Sequence, residues 1–227
     1  MKKSLALLSV FSVGLFLLSG CATTQPPQFN VNVDSISGSD TDKKSFMLFP
    51  GNEDTQADDL QFKEYASYVN RALIKQGFIP AKSPEDANVA IFLVYGIGDP
   101  QQHQYSYSMP VWGKTGISSS TTRTTSSTTS KTTYNPTYGI KGYTTQVGTR
   151  ITYFRFLVLD ALDLDAYRKT EEEVPLWKTS ITSTGSSGDL RRVFPILVAA
   201  SMSYISKNTG QIIAVNIREN DKKIVEI

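Results

Sequence analysis

The chain has 227 residues, a formal net charge of +2, 40% apolar and 19% charged side chains. That is enough apolar material for one packed domain with an appendage, and too little charge for a wholly disordered chain. One cysteine and one histidine exclude an internal disulfide, paired-thiol redox chemistry, a cysteine zinc site and a multi-histidine metal centre.

Lys2-Lys3 is followed by an apolar run over 5–18, interrupted by Ser9, Ser12 and Gly14. Its length fits the core of a signal peptide and is short for a membrane-spanning helix. It ends at Leu18-Ser19-Gly20-Cys21, which resembles the lipobox of bacterial lipoproteins. Small residues there let an extended backbone enter a narrow peptidase cleft, and the thiol is the acylation site. The resemblance implies cleavage between Gly20 and Cys21, a diacylglycerol on the Cys21 sulfur and a further acyl chain, such as palmitate, on the new amino group. At roughly 0.8 kcal/mol per buried methylene, two or three such chains hold a protein on a membrane. Ala22, where an Asp would favour retention at the inner membrane, favours the outer membrane of the cell, and the expected side of that membrane is the periplasmic face. Lys2 and Lys3 leave with the leader. Basic and acidic side chains then balance at 21 each, which removes any global positive field for nucleic acid.

The expected organisation is a signal peptide over 1–20, a lipidated tether over 21–28 and a single domain over 29–227. Residues 29–33 alternate apolar and polar, as a half-buried strand does. The polar stretch 35–44 reads as a loop, and 45–49 as a short strand stopped by Pro50-Gly51. Asp58-Asp59 opens a helix with Phe62, Tyr65, Ala66, Val69, Leu73 and Gln76 near one face, ended by Gly77. A turn region follows over 79–86. Over 88–98, Val89, Ile91, Leu93 and Tyr95 alternate with Ala90, Phe92 and Val94, which predicts a central strand covered on both faces.

Composition changes in an insert over about 103–148. Fifteen of the nineteen residues 115–133 are Ser or Thr, flanked by Tyr105, Tyr107 and Trp112 on one side and Tyr134, Tyr138 and Tyr143 on the other. Strand character returns over 151–162, the most apolar stretch of the mature chain. A polar connection over 163–173 leads to a return strand over 174–183 containing Trp177, and then to a small-residue turn. A second helix is expected over 190–207, with Val193, Phe194, Leu197, Ser201, Tyr204 and Ile205 as its stripe. Pro195 predicts an irregular first turn or a start near Phe194. Asn208-Thr209-Gly210 ends it, and 211–217 is a last strand paired with 223–227. These elements give an α+β fold, a two-layer, mostly antiparallel sheet with two helices on one face, plus a Ser/Thr-rich hairpin or loop insertion.

Three blocks resemble the bacterial lipoprotein family of the domain of unknown function 4136. They are the strand-loop-helix over 45–78, the strand over 85–95, and Leu176-Trp177-Lys178-Thr179 leading into the helix over 189–210. The resemblance implies a two-layer periplasmic domain with an envelope role, and it brings no catalytic residues.

No constellation for catalysis emerges. His103 sits alone among glutamines, no Gly-x-Ser-x-Gly elbow is present, and Gly96-Ile97-Gly98 precedes no helix. Asp160, Asp163 and Asp165 have carboxylate spacing that calcium could use, but the calcium-loop pattern fails. The expectation is a non-enzymatic lipoprotein with no metal and no cofactor. Its partners are the membrane, through its anchor, and another envelope protein, with no nucleic acid. The alternative is a glycan- or ligand-binding lipoprotein using Tyr105, Tyr107, Trp112, Tyr134, Tyr138 and Tyr143, since aromatic platforms bind sugars.

Overall fold

The structure, a computed structural model, describes residues 25–38, 42–126 and 129–227. Gly20, Cys21 and the signal peptide lie outside the described residues. Eight strands and four helices occur among the described residues: β1 Gln28–Ser37, β2 Ser45–Pro50, α1 Leu60–Lys75, β3 Ile79–Pro80, β4 Val89–Ile97, β5 Gln101–Ser126, β6 Thr129–Asp163, α2 Leu164–Thr170, β7 Pro175–Gly185, α3 Leu190–Ser201, β8 Ile213–Arg218 and α4 Lys222–Val225.

The expected two-layer antiparallel sheet with two helices is corrected. The protein is 52% strand and 22% helix, and its sheet is mixed, in the order β3-β2-β4-β6-β7-β1-β8, with β5 pairing β6. β2 runs parallel to both β3 and β4. The chain from β2 to β4 passes through α1, and a crossover helix is what a parallel pair requires. The 79–86 segment expected as a turn contributes β3 to this parallel edge.

α1 forms as its sequence predicts. The Asp59 carboxylate accepts from the Gln61 N–H at 2.7 Å, satisfying one orphan donor of the first turn. Phe62, Tyr65, Ala66, Val69 and Leu73 are buried. Gly77, at φ +84°, supplies the left-handed turn that ends the helix. α3 begins at Leu190, not near Phe194, because Asp189 caps it through the Arg192 N–H at 3.1 Å. Pro195 sits inside it; its missing donor would have served the carbonyl of Arg191, in the exposed first turn. The helix stops at Ser201, short of 207, where the Tyr204 N–H bonds the Ser201 carbonyl at 2.8 Å and tightens the chain into turns. β8 pairs with β1 and not with 223–227. Residues 222–225 form α4, capped by Asp221. Within the expected polar connection, Asp163 caps α2.

α1 and α3 pack on one face of the sheet. Tyr65 of α1 stacks on Phe194 of α3 with centroids 4.0 Å apart, and both rings meet Tyr95 of β4 edge-on. Val31, Val33, Leu93, Leu157, Leu159 and Ile181 fill the sheet side of this core. The opposite face carries Phe92, Val94, Phe156 and Val158 half-buried, so β4 is central without being covered on both sides. Leu157→Ala is therefore expected to cost about 2–5 kcal/mol. Val158→Ala, one residue on and facing the open side, should cost under about 1.5 kcal/mol. Urea unfolding of the two variants checks the difference.

Candidate functional site

The central strand pair of the sheet does not stop at the body. β4 pairs β6 as far as Ile97 with Arg155, the Gly98 N–H bonds the Phe154 carbonyl at 2.8 Å, and β5 resumes at Gln101 with Thr152. The flanking strands end sooner. β7 stops at Gly185 opposite Tyr153, and β2 at Pro50 opposite Leu93. Past that point β5 and β6 continue as a two-stranded ribbon over 101–126 and 129–152, slightly wider than the expected insert. At about 3.3 Å per residue it is on the order of 80 Å long. No other strand pairs with either outer edge among the described residues.

All six aromatics expected at a binding surface lie on this ribbon, each 45–69% exposed, so none of them supports the core. The ribbon does not gather them into one platform. Tyr105 and Tyr107 share a face, with rings 5.9 Å apart. Tyr105 lies over Gly148, where a Cβ would come within 2.7 Å of its ring, so the glycine makes room for a cross-strand aromatic. Pro110 opposes Tyr143, Trp112 opposes Ile140 and Lys114 opposes Tyr138. Alternation along β5 puts Pro110 on the face away from Tyr105 and Tyr107. Tyr134 opposes Ser120, beyond three shifts of register from the root.

The outer half is held by hydroxyl pairs, Thr122 with Thr132 at 3.0 Å and Thr115 with Thr137 at 3.3 Å, and by Asn135 donating to Ser119 at 2.9 Å. Residues 101–152 carry five basic side chains, Lys114, Arg123, Lys131, Lys141 and Arg150, and no acidic one. A one-signed surface of this kind favours an acidic or neutral counterpart.

The other sequence candidates are dispersed. His103 Nε2 is 3.0 Å from the Thr152 hydroxyl at the ribbon root. Asp160 pairs with Lys178 at 3.0 Å. Asp163 and Asp165 share Lys43 at 2.7 and 3.3 Å. Burial pushes the Asp163 carboxyl up, yet the Lys43 ammonium and the N–H groups of Ala166 and Asp165 outweigh it and hold the group below the usual carboxylate range. The three aspartates are thus committed to lysines and to a helix cap. One residue was missed altogether. Arg155, in the inward row of β6, is 1% exposed. Its sequence signal was a single charge in the apolar run 151–159.

No protein-family model matches the chain, and no curated protein matches it. Among solved structures it is similar to a PDZ domain protein from Parabacteroides distasonis, with 12% identity and a TM-score of 0.37. The match covers 90% of this chain and spans 42% of that protein's length.

Proposed function

We propose that the protein is an acyl-anchored lipoprotein of the bacterial envelope whose sheet body holds out a ribbon as a non-enzymatic interaction surface. The observation that carries this reading is the ribbon itself: it is exposed, it projects beyond the flanking strands of the body, and among the described residues it is open along both edges. Open edges present rows of unpaired N–H and C=O groups, which accept an added strand from another chain. The partner is an extended segment of another envelope protein. The anchor reading is supported by Leu18-Ser19-Gly20-Cys21 behind an apolar run. The likeness to the domain of unknown function 4136 lipoproteins agrees with it and rests on core pattern alone.

Affinity recovery after crosslinking in cells tests the reading. A protein captured with the full chain and lost on shortening the ribbon supports it, and a glycan captured in the same way supports the sugar-binding alternative. Cys21→Ser is expected to accumulate as uncleaved precursor, and the intact mass of the detergent-extracted protein should show acyl additions on a chain that starts at Cys21. Normal cleavage and release of the variant would contradict the anchor.

A further inference from the structure

Leu157, Leu159 and Ala161, in the inward row of β6, are apolar. Arg155, in the same row at the root of the ribbon, is buried to the same degree. Its Nη1 donates to the Ser187 carbonyl at 3.1 Å, and its Nη2 to the Ser183 hydroxyl at 3.1 Å. Ser183 passes that bond on to the Asn30 carbonyl at 2.8 Å. The buried Nε has no acceptor among the described residues. Arg155 makes no ion pair among the described residues. A guanidinium taken out of water without a counter-charge is strongly disfavoured unless an anion joins it.

Arg155 forms part of the wall of a pocket of about 280 Å³, together with Arg150, Arg192, Asn30, Ser186 and Ser187. Arg192 is shared with Glu219, at 2.8 Å from Nη2 to Oε2, while Arg150 is exposed and without an ion pair among the described residues. Three guanidinium groups against one carboxylate leave two positive charges in excess. Gly185 preserves the room, since a Cβ there would stand 2.7 Å from Arg155 Nη2. The Asp189 carboxylate, next along, is turned to the Arg192 N–H as a helix cap.

We propose that this pocket binds a phosphate group. Its charge excess matches a phosphate dianion, and planar guanidinium forks suit phosphate oxygens. Two sources share that chemistry, a free phosphate or phosphate ester and an anionic phospholipid headgroup. Pro27 and Gln28 are also in the pocket wall. Pro27 lies six positions beyond Cys21, a reach of about 20 Å. An anchored chain therefore holds the pocket close to headgroups. Only the lipid source rests on the anchor reading; the pocket does not.

The test uses the full detergent-extracted protein, with inorganic phosphate in one arm and dihexanoyl phosphatidylglycerol in the other. Sodium chloride serves as the control at matched ionic strength. The melting temperature should rise by roughly 5 °C at about a hundredfold excess of probe over its dissociation constant, and the probe's phosphorus resonance should broaden. The exposed-site variant Arg150→Ala should weaken the response about tenfold. Arg155→Met should abolish it while still melting cooperatively, because an apolar side chain of similar length suits the buried row. A response to inorganic phosphate establishes the shared phosphate site, and a response to the lipid alone assigns it to the headgroup. No response beyond chloride in either arm overturns the proposal, as does a response that both variants retain. Ribbon-dependent crosslinking is read separately, so loss of phosphate binding leaves the interaction reading standing and the reverse is equally distinguishable.

Discussion

Phe194→Ala is expected to lower the free energy of unfolding by about 3–5 kcal/mol. Phe194 is fully buried and lies where three elements meet. Its ring stacks on Tyr65 with an interplanar angle of 6° and meets Tyr95 edge-on at 5.9 Å. Truncation removes the transfer energy of the largest buried side chain of α3 and opens a cavity that α1 and β4 cannot both close. Aromatic pairing adds about 0.5–1.5 kcal/mol per contact beyond the buried area. A domain of this size has about 5–15 kcal/mol in total, so the variant should be marginal. Trp112→Ala, larger in volume but exposed on the ribbon, should stay within about 0.5 kcal/mol of wild type. Urea unfolding monitored by circular dichroism, with the slope m unchanged, checks both. Equal midpoints for Phe194→Ala and wild type would mean that α3 does not pack as described.

Replacing 115–133 by a short Gly-Ser link should leave the thermal transition within a few degrees of wild type while abolishing partner capture. Fifteen hydroxyl side chains and Ile117, itself 59% exposed, offer almost no apolar area to bury. Ordering each residue costs about 1–2 kcal/mol of backbone entropy, and each ladder bond returns about 1 kcal/mol net, so this segment is close to neutral for the body. An isolated two-stranded hairpin is marginal by itself, and the ribbon draws its order from β4 and β6 at its root. Thermal melts with limited proteolysis decide the point. Collapse of the shortened protein would show that the tract belongs to the folded body.

The sequence made some elements plain because their signals are local. Asp59, the stripe of α1 and Gly77 lie within one helix length and were read correctly, as was the return strand containing Trp177. The parallel pairing of β2 with β4 was missed although strand-helix-strand order announces it, because two short strands flanking one helix also fit an antiparallel layout. The apolar residues on both sides of β4 suggested two covered faces. The far face instead keeps Phe92 and Val94 half-buried among side chains of the sheet, with the Phe92 ring 5.8 Å from that of Phe49. Pro195 allowed an irregular first turn or a start near Phe194, and with the Asp189 cap α3 starts at Leu190, the expected first residue of the helix. For the insert, Thr and Tyr favour strands, but a hairpin and a loop share that composition, and only pairing with β6 separates them. The six aromatics were found by type, while their division between faces depends on the registers and shifts of the ribbon. Arg155 was visible as a charge in an apolar run, but its lack of an acidic partner among the described residues depends on contacts far apart in the chain.

The interaction role of the ribbon is tested most directly by placing a photo-crosslinking amino acid at Tyr107, Thr121 and Thr145 in turn, with Lys63 on the exposed side of α1 as control. Irradiation of living cells should join the ribbon positions to a partner chain of one defined mass and leave Lys63 unlinked. Ribbon positions that yield no adduct, or a Lys63 that yields the same adduct as they do, would contradict the account.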